Sequence, residues 1–197
     1  MKYAVLMVAC ALPLAACNKP AVNEKNASVS DVANAVSKSG IAGENFIRAG
    51  QWQVKGKLED MSMPGLPPEA QTEMKRVMGQ VQNNSFEYCV TPEEAKHPGG
   101  KMFTGKDNGD CRYDHFQMGG GKFDAAMRCQ SKGQGPSQLM TMTMNGTYSP
   151  DAYTSNVSMK VEGGPQGTMT MKMRSEAKRI GECSAETAKN DVPKNPG

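Results

Sequence analysis

The fold of this 197-residue chain is decided by residues 140–173, which read MTMTMNGTYSPDAYTSNVSMKVEGGPQGTMTMKM. Apolar and polar side chains alternate through three segments of this stretch, a pattern typical of strands that have one buried face. Residues 149–152 and 163–167 are rich in turn-forming residues and separate the segments. The sequence therefore predicts three consecutive antiparallel strands joined by hairpin turns.

The alternation also predicts how these strands pair. A four-residue loop over residues 149–152 places Tyr148 opposite Tyr153, and a slip of one residue would send the apolar side chains of one strand to solvent. The register then pairs Met144 with Val157, Met142 with Met159, Met140 with Val161, Val161 with Met169, Met159 with Met171, and Val157 with Met173. These nine residues form one continuous apolar face, which we call the methionine surface.

Three interpretations of the methionine surface differ in what lies against it. The favoured one is a core, in which flexible methionines fill the gap between the sheet and a helix. The second is a pocket for an apolar ligand. The third is a soft-metal site, because thioethers prefer Cu(I), with Trp52 or His115 nearby. The thioether candidates for that site are Met61, Met63, Met142, Met159 and Met171, and no other cofactor is expected.

The remaining pattern predicts a small α+β domain. Alternation recurs in four more segments, which gives about seven strands, at residues 51–60, 85–90, 111–118, 122–130, 138–148, 153–162 and 168–180. Residues 68–82 carry apolar side chains at helical spacing and predict one amphipathic helix that covers the sheet. Thr91 and Glu94 match a capping box that opens a short second helix. The predicted fold is mainly an antiparallel β meander, and whether it closes into a barrel is left open.

The first seventeen residues resemble a bacterial lipoprotein signal. Lys2 precedes an apolar run that is shorter than the roughly 20 residues of a membrane-spanning helix. Leu14-Ala15-Ala16-Cys17 resembles the lipobox, in which the cysteine is acylated and becomes the new N-terminus. Asn18, where Asp would favour the inner membrane, indicates the outer membrane. We therefore expect a lipid-anchored envelope protein that faces the periplasm; the alternative is an ordinary secretory signal that leaves Cys17 free.

These features divide the chain into four parts. The parts are a signal peptide at residues 1–16, a lipidated N-terminus and flexible tether at 17–45, a single disulfide-linked β-rich domain at 46–184, and a disordered tail at 185–197. A short helix over residues 30–38 is the one element that the polar tether allows. With 23 Lys and Arg against 20 Asp and Glu, the charge is too balanced to indicate a nucleic-acid-binding protein.

Four cysteines remain for disulfides, because Cys10 leaves with the signal peptide and Cys17 takes the lipid. In an oxidising compartment, and without a C-x-x-C pair, they are expected to form two disulfides rather than a metal site. The four are Cys89, Cys111, Cys129 and Cys183.

Strand alternation suggests how the cysteines pair, and two solutions stay open. Cys89 and Cys111 alternate with the face away from the core, whereas Cys129 and Cys183 alternate with the core face. Matching faces favours the pairs Cys89–Cys111 and Cys129–Cys183. The rival is a three-residue hairpin loop centred on Gly120, which places Cys111 directly opposite Cys129.

The sequence contains no motif of a known catalytic site. His97 precedes a proline in a loop, and His115 is expected on the more polar face of its strand. Residues 107–110 lack the ligand spacing of a calcium loop, and the glycines at 119–121 join two strands rather than a strand and a helix. We therefore expect a non-enzymatic binding or structural module, whose partners are the membrane and an apolar ligand or envelope protein.

Several short segments form a combination that is typical of one protein family. They are Gly50-Gln51-Trp52, Cys89-Val90-Thr91-Pro92-Glu93, Cys111, Gly120-Gly121-Lys122, Met127-Arg128-Cys129, Gly146-Thr147-Tyr148 with Tyr153, and Lys178-Arg179-Ile180-Gly181-Glu182-Cys183. Together they resemble a bacterial family of uncharacterised envelope proteins, the domain of unknown function numbered 3617. The resemblance implies a small secreted or lipid-anchored domain with this cysteine framework. It implies no known activity and no catalytic residues.

Overall fold

An antiparallel sheet of eight strands organises the protein, which we describe from a computed structural model. The structure describes residues 21–41, 46–82, 85–96, 109–131, 137–164 and 167–184. The predicted signal peptide, Cys17, His97 and the predicted tail at 185–197 lie outside the described residues.

The order of the strands confirms the predicted α+β class. The strands are β1 Val22–Ser28, β2 Gly50–Ser62, β3 Ser85–Val90, β4 Gly109–Gly119, β5 Lys122–Ser131, β6 Leu139–Ser149, β7 Ala152–Gly164 and β8 Gly167–Gly181. The helices are α1 Val29–Lys38, α2 Pro68–Gln82 and α3 Pro92–Lys96. In the sheet the strands follow the order β1-β4-β5-β6-β7-β8-β2-β3. Within the described ranges no pairing joins the edge strands β1 and β3, so the sheet is open.

The predicted register of the methionine hairpins is confirmed. Tyr148 lies opposite Tyr153, and the three predicted apolar pairs between β6 and β7 follow from it. The three predicted pairs between β7 and β8 are also present. The first turn is shorter than predicted, because Ser149 and Ala152 also pair, but its centre is unchanged and the register with it.

The segment predicted as a tether is wrong for residues 22–38, which fold onto the sheet. β1 pairs with β4, and α1, which matches the short helix that the pattern allowed, begins with a capping box. Val32 and Val36 of α1 are fully buried. The strand pattern of β1 is hidden in the sequence because only Val22 and Ala27 face the core and Asn26, with φ 50°, interrupts the alternation.

A β-bulge in β4 makes the favoured disulfide pairing wrong. Asp114 is an extra residue that the register between β4 and β5 skips. Because the bulge shifts the alternation by one residue, Cys111 shares a face with Cys129, and these two residues form a disulfide directly across the two strands. The second disulfide joins Cys89 to Cys183. The rival pair is thus formed, by a bulge rather than by a three-residue loop.

One part of the inner sheet face is closely packed. Its largest fully buried side chains, which we call the packed region, are Val32, Val36, Trp52, Tyr113 and Phe116. Phe46 extends the cover over the β6–β7 hairpin, where its ring meets Tyr148 edge-on at 5.1 Å between centroids. Trp52 stacks with Tyr153 at 6.1 Å. The core therefore lies between the sheet, α1 and the chain segment that precedes β2.

Candidate functional site: the methionine surface

A row of five methionines crosses five neighbouring strands. Strands β5, β6, β7, β8 and β2 place them directly opposite one another, in the order Met127, Met142, Met159, Met171 and Met61. Directly opposite side chains share a face of the sheet, with Cβ atoms about 5 Å apart. This methionine row therefore spans about 19 Å at the usual spacing between strands.

Apolar side chains flank the methionine row on both sides. The row towards one end of the strands comprises Met140, Val161 and Met169. The row towards the other end comprises Met144, Val157, Met173 and Leu58. None of the side chains in these three rows carries a charge or a conventional hydrogen-bonding group. The rows therefore form an uncharged apolar patch on one face of the sheet.

The methionine surface is only partly covered. Of its nine residues, Met171 is buried at 8% exposure and the other eight are half-buried. The side chains of the packed region, by contrast, are at most 1% exposed. The interpretation of the methionine surface as a core is therefore confirmed for Met171, whereas the other eight side chains are only partly buried, with Met144 packed against the core.

Helix α2 explains why the cover is incomplete. It packs mainly against β2, where it helps to bury Met61. Along its own apolar side, Met74 and Met78 are half-buried and Val77 is 43% exposed. A helix that sealed the sheet would bury this whole stripe. The predicted amphipathic helix is confirmed, but it does not bury the methionine surface.

On four strands, small side chains lie between the methionine surface and the packed region. The separating row comprises Gly146, Ser155, Ser175 and Gly56, which lie directly opposite one another on four strands. A Cβ atom at Gly146 would lie 2.7 Å from the ring of Phe123, so this ring occupies the space that the glycine leaves. On β4 and β5 the two regions adjoin instead, because Tyr113 lies directly opposite Met127 and Met144 packs against the core.

Four tyrosines on the packed side of the sheet face are also uncharged. Burial raises the pKa of Tyr88, and the neighbouring Tyr153 and Glu94 raise it further. Burial also raises the pKa of Tyr153, against a hydrogen bond from Tyr88 that lowers it. Burial likewise raises the pKa of Tyr113 and of Tyr148. All four phenols are therefore neutral near pH 7.

Three thioethers meet where α2 approaches the end of β2. Met61 in β2, Met63 just after β2 and Met74 in α2 line one shallow depression, which is open to solvent. Gln71 and Lys75 complete its wall. We call Met61, Met63 and Met74 the corner cluster.

The structure brings most of the predicted metal ligands together. Met61, Met142, Met159 and Met171 all belong to the methionine row, and Met63 joins Met61 in the corner cluster. Sequence reasoning missed Met74 as a site residue, because nothing in the sequence fixes the position of α2 on β2.

Trp52 and His115 stand apart from the methionines. Trp52 lies in the packed region, where its Nε1 donates a hydrogen bond to the Arg48 carbonyl at 3.0 Å. His115 lies on the opposite sheet face, with its Nε2 2.6 Å from Oδ1 of Asp124. Neither side chain takes part in the methionine row.

The described part of the chain offers neither a cluster of the usual metal-binding side chains nor a membrane-spanning helix. Among the side chains that the structure describes, no group of three or more His, Cys, Asp or Glu is placed to hold a metal ion. None of the described helices has the length and apolar character needed to cross a bilayer.

The chain matches one known protein family. Residues 47–183 fit the family described as protein of unknown function (DUF3617). The chain belongs to this family. No curated protein and no solved structure matches the chain. The DUF3617 match covers every described strand and helix except β1 and α1.

Two segments that carry the DUF3617 resemblance meet at the start of β2. Gly50 leaves no room for a side chain, because a Cβ atom there would collide with the Gly181 carbonyl oxygen and the Arg179 guanidinium. Nε of Arg179 donates a hydrogen bond to the Ala49 carbonyl at 2.7 Å. The disulfide of Cys183 lies beside them. These contacts hold β3 and β8 against β2, so we interpret them as structural.

Proposed function

We propose that this DUF3617 protein is a lipid-anchored, non-enzymatic envelope protein that binds the acyl chain of a lipid or fatty acid on its methionine surface. The observation that carries the proposal is the partial exposure of eight of its nine apolar side chains. Large contiguous apolar patches on folded domains mark sites where a protein, a membrane or an apolar ligand binds.

The chemistry of the patch favours an acyl chain over a protein partner. A protein interface typically makes about one hydrogen bond per 100–200 Å² of buried area. The methionine row and the rows beside it offer no such groups. An acyl chain has no polar atoms to satisfy along its length, so this uncharged surface costs it nothing in lost hydrogen bonds.

Methionine is also suited to a flexible ligand. Its side chain is unbranched, has three rotatable bonds and carries a polarisable sulfur, so it adapts to irregular apolar shapes. The methionine row gives such a side chain to each of five adjacent strands. The small side chains of Ser155 and Ser175 leave space beside the row for part of the ligand.

The proposed lipid anchor would hold the domain near the membrane. Cys17 lies five positions before the start of β1 at Val22, and a link of that length spans at most about 18 Å. Val22 pairs with Met118, at the sheet end that carries the β4–β5 and β6–β7 turns. The row with Met140 lies towards the other end. The anchor would therefore direct that end away from the membrane.

The test of ligand binding uses the full mature chain carrying Cys17→Ser, which can be studied without detergent. We expect saturable binding of a fluorescent fatty acid, with displacement by unlabelled fatty acid or by phospholipid identifying the source of the acyl chain. Met142→Lys with Met159→Lys should weaken binding by at least about tenfold, because two ammonium groups would have to be buried under the ligand.

The matched control places the same charges on the other face. Thr143 and Ser158 are also directly paired on β6 and β7, and both are exposed. Thr143→Lys with Ser158→Lys should leave binding unchanged. Met142→Leu with Met159→Leu, which keeps the surface apolar, should also retain binding. Absence of saturable binding in the parent chain, or equal loss in both lysine variants, would overturn the proposed function.

The anchor is tested separately in the host envelope. Mass spectrometry should find acyl groups on Cys17 of the mature protein, and Cys17→Ser should move the protein from the membrane to the periplasmic fraction. Unmodified Cys17 in membrane-bound protein would contradict the anchor without affecting ligand binding.

A further inference from the structure

We propose that the corner cluster, Met61, Met63 and Met74, is a binding site for Cu(I). This site is independent of the proposed acyl-chain surface, although Met61 also ends the methionine row. Its three sulfur donors come from different parts of the chain: Met61 near the end of strand β2, Met63 just after it, and Met74 in helix α2.

The placement of donors on two layers distinguishes the corner cluster from the rest of the methionine row. Met142 and Met159 project from neighbouring strands of one flat layer. At the corner, Met61 and Met63 come from the sheet side and Met74 from the helix packed on it, around one depression. Donors that approach a shared space from two sides can surround an ion, whereas a single row can only border it.

The donor type selects the metal. Thioethers are neutral, soft ligands that favour Cu(I) over ions such as Mg²⁺, Ca²⁺ or Mn²⁺, which prefer oxygen. They need no deprotonation, so binding should not weaken between neutral and mildly acidic pH as it does at cysteine or histidine sites.

The loop of the corner cluster is held in place by hydrogen bonds. The Leu66 amide donates to the Met63 carbonyl at 3.0 Å, which closes a turn directly after Met63. The side chain of Gln71 in α2 donates from Nε2 to the Leu66 carbonyl at 2.9 Å. Met63 is therefore positioned relative to α2, and so to Met74, before any ion binds.

One ion pair sets the charge at the rim. Nζ of Lys75 lies 3.9 Å from Oδ1 of Asp60, and both side chains are about half exposed. The same Oδ1 accepts a hydrogen bond from the Met61 amide at 2.8 Å, so the carboxylate is fixed beside the cluster. Because Asp60 offsets the ammonium, a monovalent cation can approach. Removing Lys75 should strengthen Cu(I) binding, and removing the charge of Asp60 should weaken it.

The experiment is an anaerobic Cu(I) titration of the full mature chain carrying Cys17→Ser, in competition with a chromophoric Cu(I) chelator. We expect one equivalent to bind with a Kd below about 1 μM, and Lys75→Ala to lower the Kd several-fold. Met61→Leu, Met63→Leu and Met74→Leu together should raise the Kd by at least about a hundredfold. The matched control, Met140→Leu, Met142→Leu and Met159→Leu, should bind as the parent does.

The variants also separate this site from the acyl-chain surface. The corner triple variant should keep the circular dichroism spectrum of the parent, which shows that it is folded. Met63→Leu with Met74→Leu, which leaves the methionine row intact, should weaken Cu(I) binding and still bind the fluorescent fatty acid. Binding weaker than about 1 μM in the parent, or Cu(I) binding that survives in the corner triple variant but is lost in the control, would overturn the metal site. X-ray absorption of the loaded parent should show sulfur as the main ligand, and a nitrogen- or oxygen-only spectrum would overturn it as well.

Discussion

The packed region and the methionine surface lie on the same face of one sheet, yet they are built differently. In the packed region, aromatic rings and the valines of α1 interlock until almost no surface is exposed. On the methionine surface, eight of nine side chains keep part of their surface in water. Both regions are apolar, so hydrophobicity of the sequence alone does not distinguish them. What differs, among the residues that the structure describes, is whether another strand or helix lies on top.

The difference suggests that the two regions have different roles, one in stability and the other in binding. The packed region, two disulfides and the contacts of Gly50 with Arg179 stabilise the domain. The methionine surface contributes less to stability, because apolar area that stays exposed gains little from folding. We infer that it is kept free for a ligand.

The largest expected effect on stability comes from the two disulfides, one of which lies beside the start of β2 and the other beside the methionine surface. Cys89–Cys183 ties β3 and β8 together beside the start of β2, across 94 residues, whereas Cys111–Cys129 spans 18 residues and borders Met140. From loop entropy, replacing both cysteines by Ala should cost about 4.7 kcal/mol for the first pair and about 3 kcal/mol for the second. Urea denaturation of the two double variants measures the difference in unfolding free energy. A larger loss of stability without Cys111–Cys129 would contradict the view that the longer loop closed by Cys89–Cys183 makes it the more stabilising disulfide.

The sequence predicted the methionine hairpins to the residue for a clear physical reason. Side chains alternate with a period of two, so only one register keeps all the apolar residues of β6 to β8 on one face. The same rule failed for the disulfides, because the bulge at Asp114 reverses the alternation inside β4. It also failed for β1, where only Val22 and Ala27 face the core.

The candidate site was predicted less completely than the fold. Alternation placed Met142, Met159 and Met171 together, but it carried no information on what covers them. The position of Met74 over Met61 depends on how α2 packs on β2, which is a tertiary contact without a local sequence signal. The incomplete burial of eight of the nine residues was not predicted, for the same reason.

The next effect compares one residue from each region. Phe116→Ala should destabilise the protein by about 3–5 kcal/mol, because it removes a fully buried ring and leaves a cavity. Met159→Ala should cost less than about 2 kcal/mol, since the side chain is only half-buried and water can fill the gap. Equal losses in thermal or urea denaturation would show that the methionine surface is packed like the core.

A smaller effect is expected from pH, and it should report on the tyrosines beside the packed region. Burial raises the folded-state pKa of Tyr88 and Tyr153 above the ordinary value of 10.0. Their contribution to stability is therefore complete below about pH 10 and is lost above it, by at most about 1.4 kcal/mol per pH unit for each phenol. Urea denaturation between about pH 9 and about pH 11 measures the slope.

Two variants show which residues cause the loss of stability at alkaline pH. Tyr88→Phe with Tyr153→Phe should flatten it, whereas Met159→Leu, on the other side of the comparison, should leave it unchanged. A slope that persists without the two phenols would assign the alkaline loss of stability to other groups.

The most direct measurement of the central claim is the rate at which each methionine is oxidised in the folded protein. Brief exposure to hydrogen peroxide followed by peptide mass spectrometry reads sulfoxide formation at each position, and exposure of the sulfur governs its rate. Met142, Met159 and Met173 should oxidise much faster than Met118, which is 2% exposed in the core, and an acyl-chain ligand should slow them selectively. If these three methionines are as protected as Met118 without any ligand, the methionine surface is closed and the account is contradicted.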